Sequence, residues 1–318
     1  MVNALAEEPK SKVPKRRLAE TANKSQEEAS LRTYLDCLPC LLRQALEAAR
    51  AATEDENIHH KVINSVAGMI PQFSLGLRPP EITQRGYQLI YQITGNSDPF
   101  HQAKVEANRA VLALYPHLKE VVANSGDPSL TACKLAIAGN SIDLAPDFDY
   151  GGIDNIVETA LASPLAINDY QEFRNSINNS RHILYLGDNA GEIVFDRVLI
   201  EELRQVKELE IDFVVRERPI INDATLEDAI AVGMDKVAKI VSSGCDAPAT
   251  ILSQCSSEML RLYHSADIII AKGQGNYESL DEESGNIFFL LRAKCPIVAK
   301  LLGVSVGDVI LKQHLVGR

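Results

Sequence analysis

Oxygen-bearing and cationic side chains gather in four stretches of this 318-residue chain, each directly after a short apolar run. His182-Ile-Leu-Tyr-Leu-Gly187 gives way to Asp188, Asn189 and, past Ala190 and Gly191, Glu192. Ile211-Asp-Phe-Val-Val215 leads on to Asn222 and Asp223. Asp267-Ile-Ile-Ile-Ala271 delivers Lys272-Gly-Gln-Gly-Asn276, and Ile287-Phe-Phe-Leu-Leu291 delivers Lys294. Two carboxylates, a carbonyl oxygen and waters suit a hard divalent cation such as Mg2+ or Mn2+, whereas zinc more often recruits histidine or cysteine. Asp188, Asn189 and Asp223 are therefore candidate metal ligands. The opposing reading is that Asp188 or Asn189 simply caps the helix that follows. Asp223 and two lysines on neighbouring segments favour the metal. The Lys272–Asn276 stretch lacks the spacing of a P-loop or a dinucleotide fingerprint, and reads as a glycine turn that lets backbone amides and Lys272 approach an oxyanion.

The elements that would position these groups follow from the pattern. Short continuous apolar strands, with a further one at Lys239-Ile-Val241, alternate with helices over 192–206 and from about Thr225. That rhythm predicts a mostly parallel sheet covered on both faces, with ligands bound outside the carboxyl ends of its strands. Residues 179–318 form this α/β part. Residues 31–178 read as a mainly helical subdomain, because Ala45, Leu46, Ala49 and Ala52, and Val105, Ala110, Val111, Leu114 and Leu118, keep a helical period. Residues 1–30 are polar, with basic residues at Lys10, Lys12, Lys15, Arg16 and Arg17, and read as a disordered tail.

Composition narrows the function. A formal net charge of −11 and a pI of about 5.2 argue against nucleic acid as a partner. They leave room for a small phosphorylated metabolite, because a bound metal reverses the local field. No apolar run is long enough for a membrane span, and the start has no secretory pattern. Six cysteines without an export signal read as thiols, so the expected compartment is the cytoplasm. Cys37 and Cys40 form a CxxC at the start of a helix, which suits structural thiols, a second metal or a redox centre. The seven histidines show no metal spacing, and no nucleophile elbow is present.

Several of these stretches together resemble the damage-control phosphatase family with its ARMT1-like domain, also known as domain of unknown function 89. The matching pieces are Asp36-Cys-Leu-Pro-Cys40, Ala138-Gly-Asn-Ser-Ile-Asp143, Leu186-Gly-Asp-Asn-Ala-Gly-Glu192, Val215-Arg-Glu-Arg-Pro-Ile-Ile-Asn-Asp223, Lys272-Gly-Gln-Gly-Asn-Tyr-Glu278 and Arg292-Ala-Lys-Cys295. The CxxC is similar to the archaeal and bacterial branch. The resemblance implies a Rossmann-like three-layer α/β/α core with a helical N-terminal part, and hydrolysis of small phosphate monoesters, with sugar phosphates and damaged phosphometabolites as the substrate class. It implies a divalent metal (Mg, Mn, Co or Ni) on Asp188, Asn189 and Asp223. Lys272 would be catalytic and bind substrate, together with Asn140, Glu192, Gly273, Asn276 and Lys294. Asp188 is expected to be a ligand rather than a nucleophile, since Ala190 stands where an aspartyl-phosphate mechanism wants a second Asp. Two other readings remain open at this level: an S-adenosylmethionine-dependent methyltransferase, from the glycine-bearing turn after the first strand, and a CxxC metal-binding or redox module.

Overall fold

The computed structural model describes residues 31–140 and 153–316. The basic cluster and the expected tail lie outside the described residues, as does the Ser141–Asp143 part of the second motif. The described residues belong to one compact unit. The described residues open with three helices: α1 (Cys37–Ala52), α2 (Glu56–Met69) and α3 (Pro79–Thr94). They hold a hydrophobic cluster of their own around Leu41, Ala45, Val62, Val66, Tyr87 and Ile90, and Ile220 from the α/β part plugs it. Next are α4 (His101–Ala123), α5 (Pro128–Gly139) and α6 (Ile153–Ala162).

Seven strands follow, separated mostly by helices: β1 (Leu165–Asn168), α7 (Tyr170–Asn179), β2 (His182–Leu186), α8 (Glu192–Val206), β3 (Glu210–Val215), α9 (Leu226–Ala231) and β4 (Lys239–Ser242). The chain ends with α10 (Ser257–Ser265), β5 (Ile268–Lys272), α11 (Gly273–Leu280), β6 (Gly285–Arg292), α12 (Pro296–Leu302) and β7 (Val309–Val316). They form one sheet in the order β1-β7-β6-β5-β2-β3-β4. The run from β4 to β6 is parallel throughout, β7 pairs antiparallel with β6, and β1 lies parallel to β7. This is the α/β/α, mostly parallel architecture expected. Its strand order reverses between β2 and β5, the topological switch point at which open α/β sheets bind ligands.

Strand residues alternate between two cores. Ile183, Tyr185, Phe213, Ile268 and Ile270 face α4, α5, α7 and α8, while Leu184, Leu186, Val214, Ile269 and Ala271 face α10, α11 and α12. So α4, α5 and α7, although they precede residue 179, cover one face of the sheet, and β1 extends it. Among the described residues no helix is long and apolar enough to cross a membrane.

Candidate active site

Asp188 and Asn189 leave the carboxyl end of β2, and Asp223 comes from the loop beyond β3, the adjacent strand. The two loops are stitched together: the Ala190 amide donates to the Asn222 carbonyl at 2.9 Å, and the Ala224 amide donates to the Asp188 carbonyl at 2.8 Å. Asn189 and Asp223 form an isolated antiparallel bridge. The backbone thus brings the three candidate ligands together, all nearly buried, at 8%, 6% and 3% exposure. Just before Asp223, Ile221 adopts a φ of 48°, the only non-glycine positive φ among the described residues. A β-branched residue is strongly disfavoured there, so the loop is held in a conformation its own sequence resists.

The side chains form a continuous buried network. Asn140 at the end of α5 donates through Nδ2 to Asp188 Oδ2 at 2.8 Å and to Glu192 Oε2 at 2.9 Å. Asn189 Nδ2 makes the same pair of bonds, at 2.9 and 3.0 Å. Both amides therefore turn their oxygens away from the carboxylates, and Asn140 Oδ1 is buried without a protein partner among the described residues. Lys272, fully buried at the end of β5, donates to Glu192 Oε1 at 2.6 Å and to Asp196 Oδ1 at 2.5 Å. Tyr185 also donates to Asp196, at 2.7 Å. On the far side, Arg216 Nε pairs with Asp223 Oδ2 at 2.7 Å. Asn276 accepts from the Thr250 amide at 2.9 Å and donates to the Lys272 carbonyl at 2.7 Å, bracing the β5–α11 junction against the loop after β4.

Acidic groups outnumber cationic ones here. Asp188, Glu192, Asp196 and Asp223 are four buried carboxylates; Lys272 and Arg216 are the two buried cations among them. Two negative charges are left over when all are ionised. Burial, then Glu192 and Asp223, push the Asp188 carboxyl well above the usual range, with Lys294 and Arg216 pulling the other way. Burial also raises Asp223, against the Arg216 charge. Burial alone would raise Glu192 too, but the Lys272 charge and hydrogen bond, with Asn140, bring it below its ordinary value. A surplus of two buried negative charges beside an unpartnered amide oxygen fits a divalent cation. Among the described residues no set of three or more His, Cys, Asp or Glu forms a metal cage. The donors available are two carboxylates and amide oxygens, which suits a hard ion better than zinc.

Two glycines let the backbone come this close. Gly273, at φ +79°, lies so tightly on Asp188 that a Cβ there would meet Oδ2 at 1.9 Å. Gly191, at φ +78°, abuts Ala107 of α4 and donates its amide to Asn108 Oδ1 at 2.6 Å.

The network brings together Asp188, Asn189, Glu192, Asp223, Lys272, Gly273, Asn276 and Asn140. Lys294 is exposed on the loop after β6; its charge still acts on Asp188, Glu192 and Asp223. Two details differ from the sequence reading. Lys272-Gly-Gln-Gly-Asn276 is not a free loop but the end of β5 and the first turn of α11. The Lys272 ammonium is committed to two carboxylates inside the protein. Asp196, Arg216 and Asn108 went unread. Asp196 had a signal, since it lies four residues after Glu192 and shares its helical face; Arg216 had one too, directly after β3, whereas Asn108 is placed by tertiary packing alone.

The model of the damage-control phosphatase ARMT1-like domain matches residues 33–310. The chain belongs to this family. A damage-control phosphatase from Pyrococcus horikoshii is 33% identical over 89% of the chain and 99% of its own length. One from Archaeoglobus fulgidus is 34% identical over 87% of the chain and 97% of its own length. An uncharacterized protein of Methanocaldococcus jannaschii is 36% identical over 90% of the chain and 96% of its own length. The crystal structure of a DUF89 family protein from Pyrococcus horikoshii superposes with a TM-score of 0.83 at 33% identity, covering 89% of this chain and 99% of that one. Relatives named damage-control phosphatases support a phosphatase-type function for this ARMT1-like chain.

Proposed function

We propose that this chain is a divalent-metal-dependent phosphatase acting on small phosphate monoesters, with sugar phosphates and damaged phosphometabolites as its substrate class. The observation that carries the reading is the gathering of four buried carboxylates around two buried cations at the switch point, beside an Asn140 oxygen that has no partner among the described residues. Asp188, Asn189 and Asp223 would hold the ion. When bound, it supplies Lewis acidity at a phosphoryl oxygen and a site for the attacking water.

The protein's own groups do the rest. Asn140 and Asn189 are held beside the Asp188 and Glu192 carboxylates, which fixes both amides at the candidate metal site. Lys272 holds Glu192 ionised and in place, and its effect on phosphate passes through that contact. Lys294, exposed on the loop after β6, would meet equatorial phosphoryl oxygens. Gly273 and Asn276 shape the wall. Asp188 serves as a ligand. The methyltransferase reading loses support because the turn after β2 spends its backbone on the Asp223 loop rather than opening toward a cofactor.

The test is hydrolysis of p-nitrophenyl phosphate and a panel of sugar phosphates. Protein stripped with EDTA is reloaded separately with Mg2+, Mn2+, Co2+ or Ni2+, beside Asp188→Asn and Asp223→Asn. Metal-restored turnover that each substitution lowers by about 10²–10³, the scale of losing one preorganised electrostatic group, supports the reading. A folded protein inert with every metal overturns it.

A further inference from the structure

The CxxC plays no part in the chemistry above, yet it has company. Cys37 and Cys40 open α1, at its first and fourth positions, and both are half-buried. No side chain caps this helix start, so its amides retain their favourable field for an anion. Cys40 Sγ receives Arg43 Nη2 at 3.7 Å and Gln44 Nε2 at 3.8 Å, two donors that suit a thiolate. Cys37 differs: burial first, then Glu278, Cys295 and Cys40, push its thiol up against a lowering contact from the Tyr34 backbone. Joining them needs the Cα atoms near enough and a shift of the Cβ atoms at the first turn of the helix, from about 5–6 Å toward about 4 Å. Residues i and i+3 of an α-helix have Cα atoms about 5 Å apart, inside the roughly 4.4–6.8 Å window of a disulfide.

A third thiol stands beside them. Cys295 heads α12, and its Sγ accepts from the Val298 amide at 3.4 Å and from Gln274 Nε2 at 3.5 Å. Gln274 also donates to Glu278 at 2.7 Å and accepts from the Lys294 amide at 2.9 Å. Its neighbour Gly273 lies on Asp188. The thiols therefore sit directly behind the wall of the candidate active site. Among the described residues these groups do not form a metal cage, and dithiol exchange needs the CxxC pair alone.

We propose that Cys40 and Cys37 are a reversible dithiol–disulfide couple that exchanges with low-molecular-weight disulfides, Cys40 being the attacking sulfur and Cys37 the resolving one. The Cys40 thiolate attacks one sulfur of the small disulfide, forming a mixed disulfide and expelling one thiolate. The Cys37 thiolate then attacks Cys40 Sγ, closing the Cys37–Cys40 bond and expelling the second. The two protons lost by Cys37 and Cys40 end on the two released thiols, so one dithiol and one disulfide become one disulfide and two thiols.

The experiment equilibrates the whole chain in mixtures of oxidised and reduced dithiothreitol, then counts free thiols by alkylation and mass spectrometry. Parent, Cys37→Ser, Cys40→Ser and Cys295→Ser are compared, each first confirmed folded by circular dichroism. The expected result is a reversible two-electron loss of two thiols in the parent, mapped to a Cys37–Cys40 peptide link. That loss persists in Cys295→Ser and vanishes in the other two variants. In a separate pulse with limiting reagent, Cys40 should be alkylated before Cys37. A link that maps to Cys295, no oxidation across the range, or zinc retained by the parent and lost from Cys37→Ser and Cys40→Ser would each overturn the proposal. No phosphatase assay enters the readout, so the two readings stand or fall separately.

Discussion

Replacing Gly273 by alanine tests whether contact between the α11 start and Asp188 sets the geometry of the site. The new Cβ would stand 1.9 Å from Asp188 Oδ2 and 2.4 Å from its Cγ, when real Cβ atoms essentially never come within 3.0 Å of a neighbour. Either Asp188 or the α11 start must therefore retreat by roughly 1 Å, a misplacement that costs on the order of 10² in turnover at a preorganised site. The left-handed φ of +79° adds strain of its own, about 1–2 kcal/mol for a residue with a Cβ. Gly303→Ala is the matched control, because Gly303 has a φ of +70° and nothing within 4 Å of the added carbon. Metal-dependent phosphatase activity and thermal denaturation are measured on both variants. The control should lose some stability and keep its activity, whereas Gly273→Ala should lose both. A Gly273→Ala protein as active as the parent would refute the claim that this contact positions Asp188.

Three more outcomes are expected. Asp196→Ala strips one carboxylate from the Lys272 ammonium and an acceptor from Tyr185, and should cost about 3–5 kcal/mol in urea titration, as for a broken buried pair; Asp196→Asn, which keeps an acceptor, should cost less. Glu278 is pushed up from 4.5 to about 7, by burial first, with Asp281 adding and Gln274 opposing. A carboxyl raised on folding stabilises the fold below its unfolded pKa and loses that contribution as pH rises through its folded one. The melting temperature of the parent should therefore fall between those two values by more than that of Glu278→Gln; equal falls would remove the role assigned to that carboxyl. Mg2+ or Mn2+ should raise the melting temperature of EDTA-treated protein by relieving the buried negative charges, and calorimetry should find no such gain in an Asp188→Asn, Asp223→Asn double variant.

The parallel strands were legible because they are short and continuously apolar. Expected at 182–187, 211–215, 239–241, 267–271 and 287–291, they occupy His182–Leu186, Glu210–Val215, Lys239–Ser242, Ile268–Lys272 and Gly285–Arg292. The two missed strands lie at the antiparallel margin of the sheet. β1 is four residues alternating between half-buried and exposed, and β7 carries Lys312, Gln313 and His314 in its middle, so neither shows a buried strand's signature. In the site, groups directly after strands could be read from the chain. Asn108, which holds the Gly191 amide from α4, belongs to a contact that exists only once the helices have docked, whereas Arg216 stands directly after β3 and its pairing with Asp223 needs that loop to fold back on itself. The commitment of Lys272 to Glu192 and Asp196 was hidden for the same reason: spacing places a lysine near a site but does not say which anion takes it.

That commitment also bears on the order in which the molecule can assemble. Glu192 and Asp196 line the inner face of α8, and the lysine that neutralises them lies 80 and 76 residues further along the chain. Until β5 has paired with β2, docking α8 would bury two like charges with no counter-ion, at a cost of several kcal/mol per ion. A nascent chain that stops short of Lys272 therefore has its first βαβ unit in sequence but not in stable form. The polar centre thus makes docking of α8 costlier until the strand on the other side of the switch point is in place.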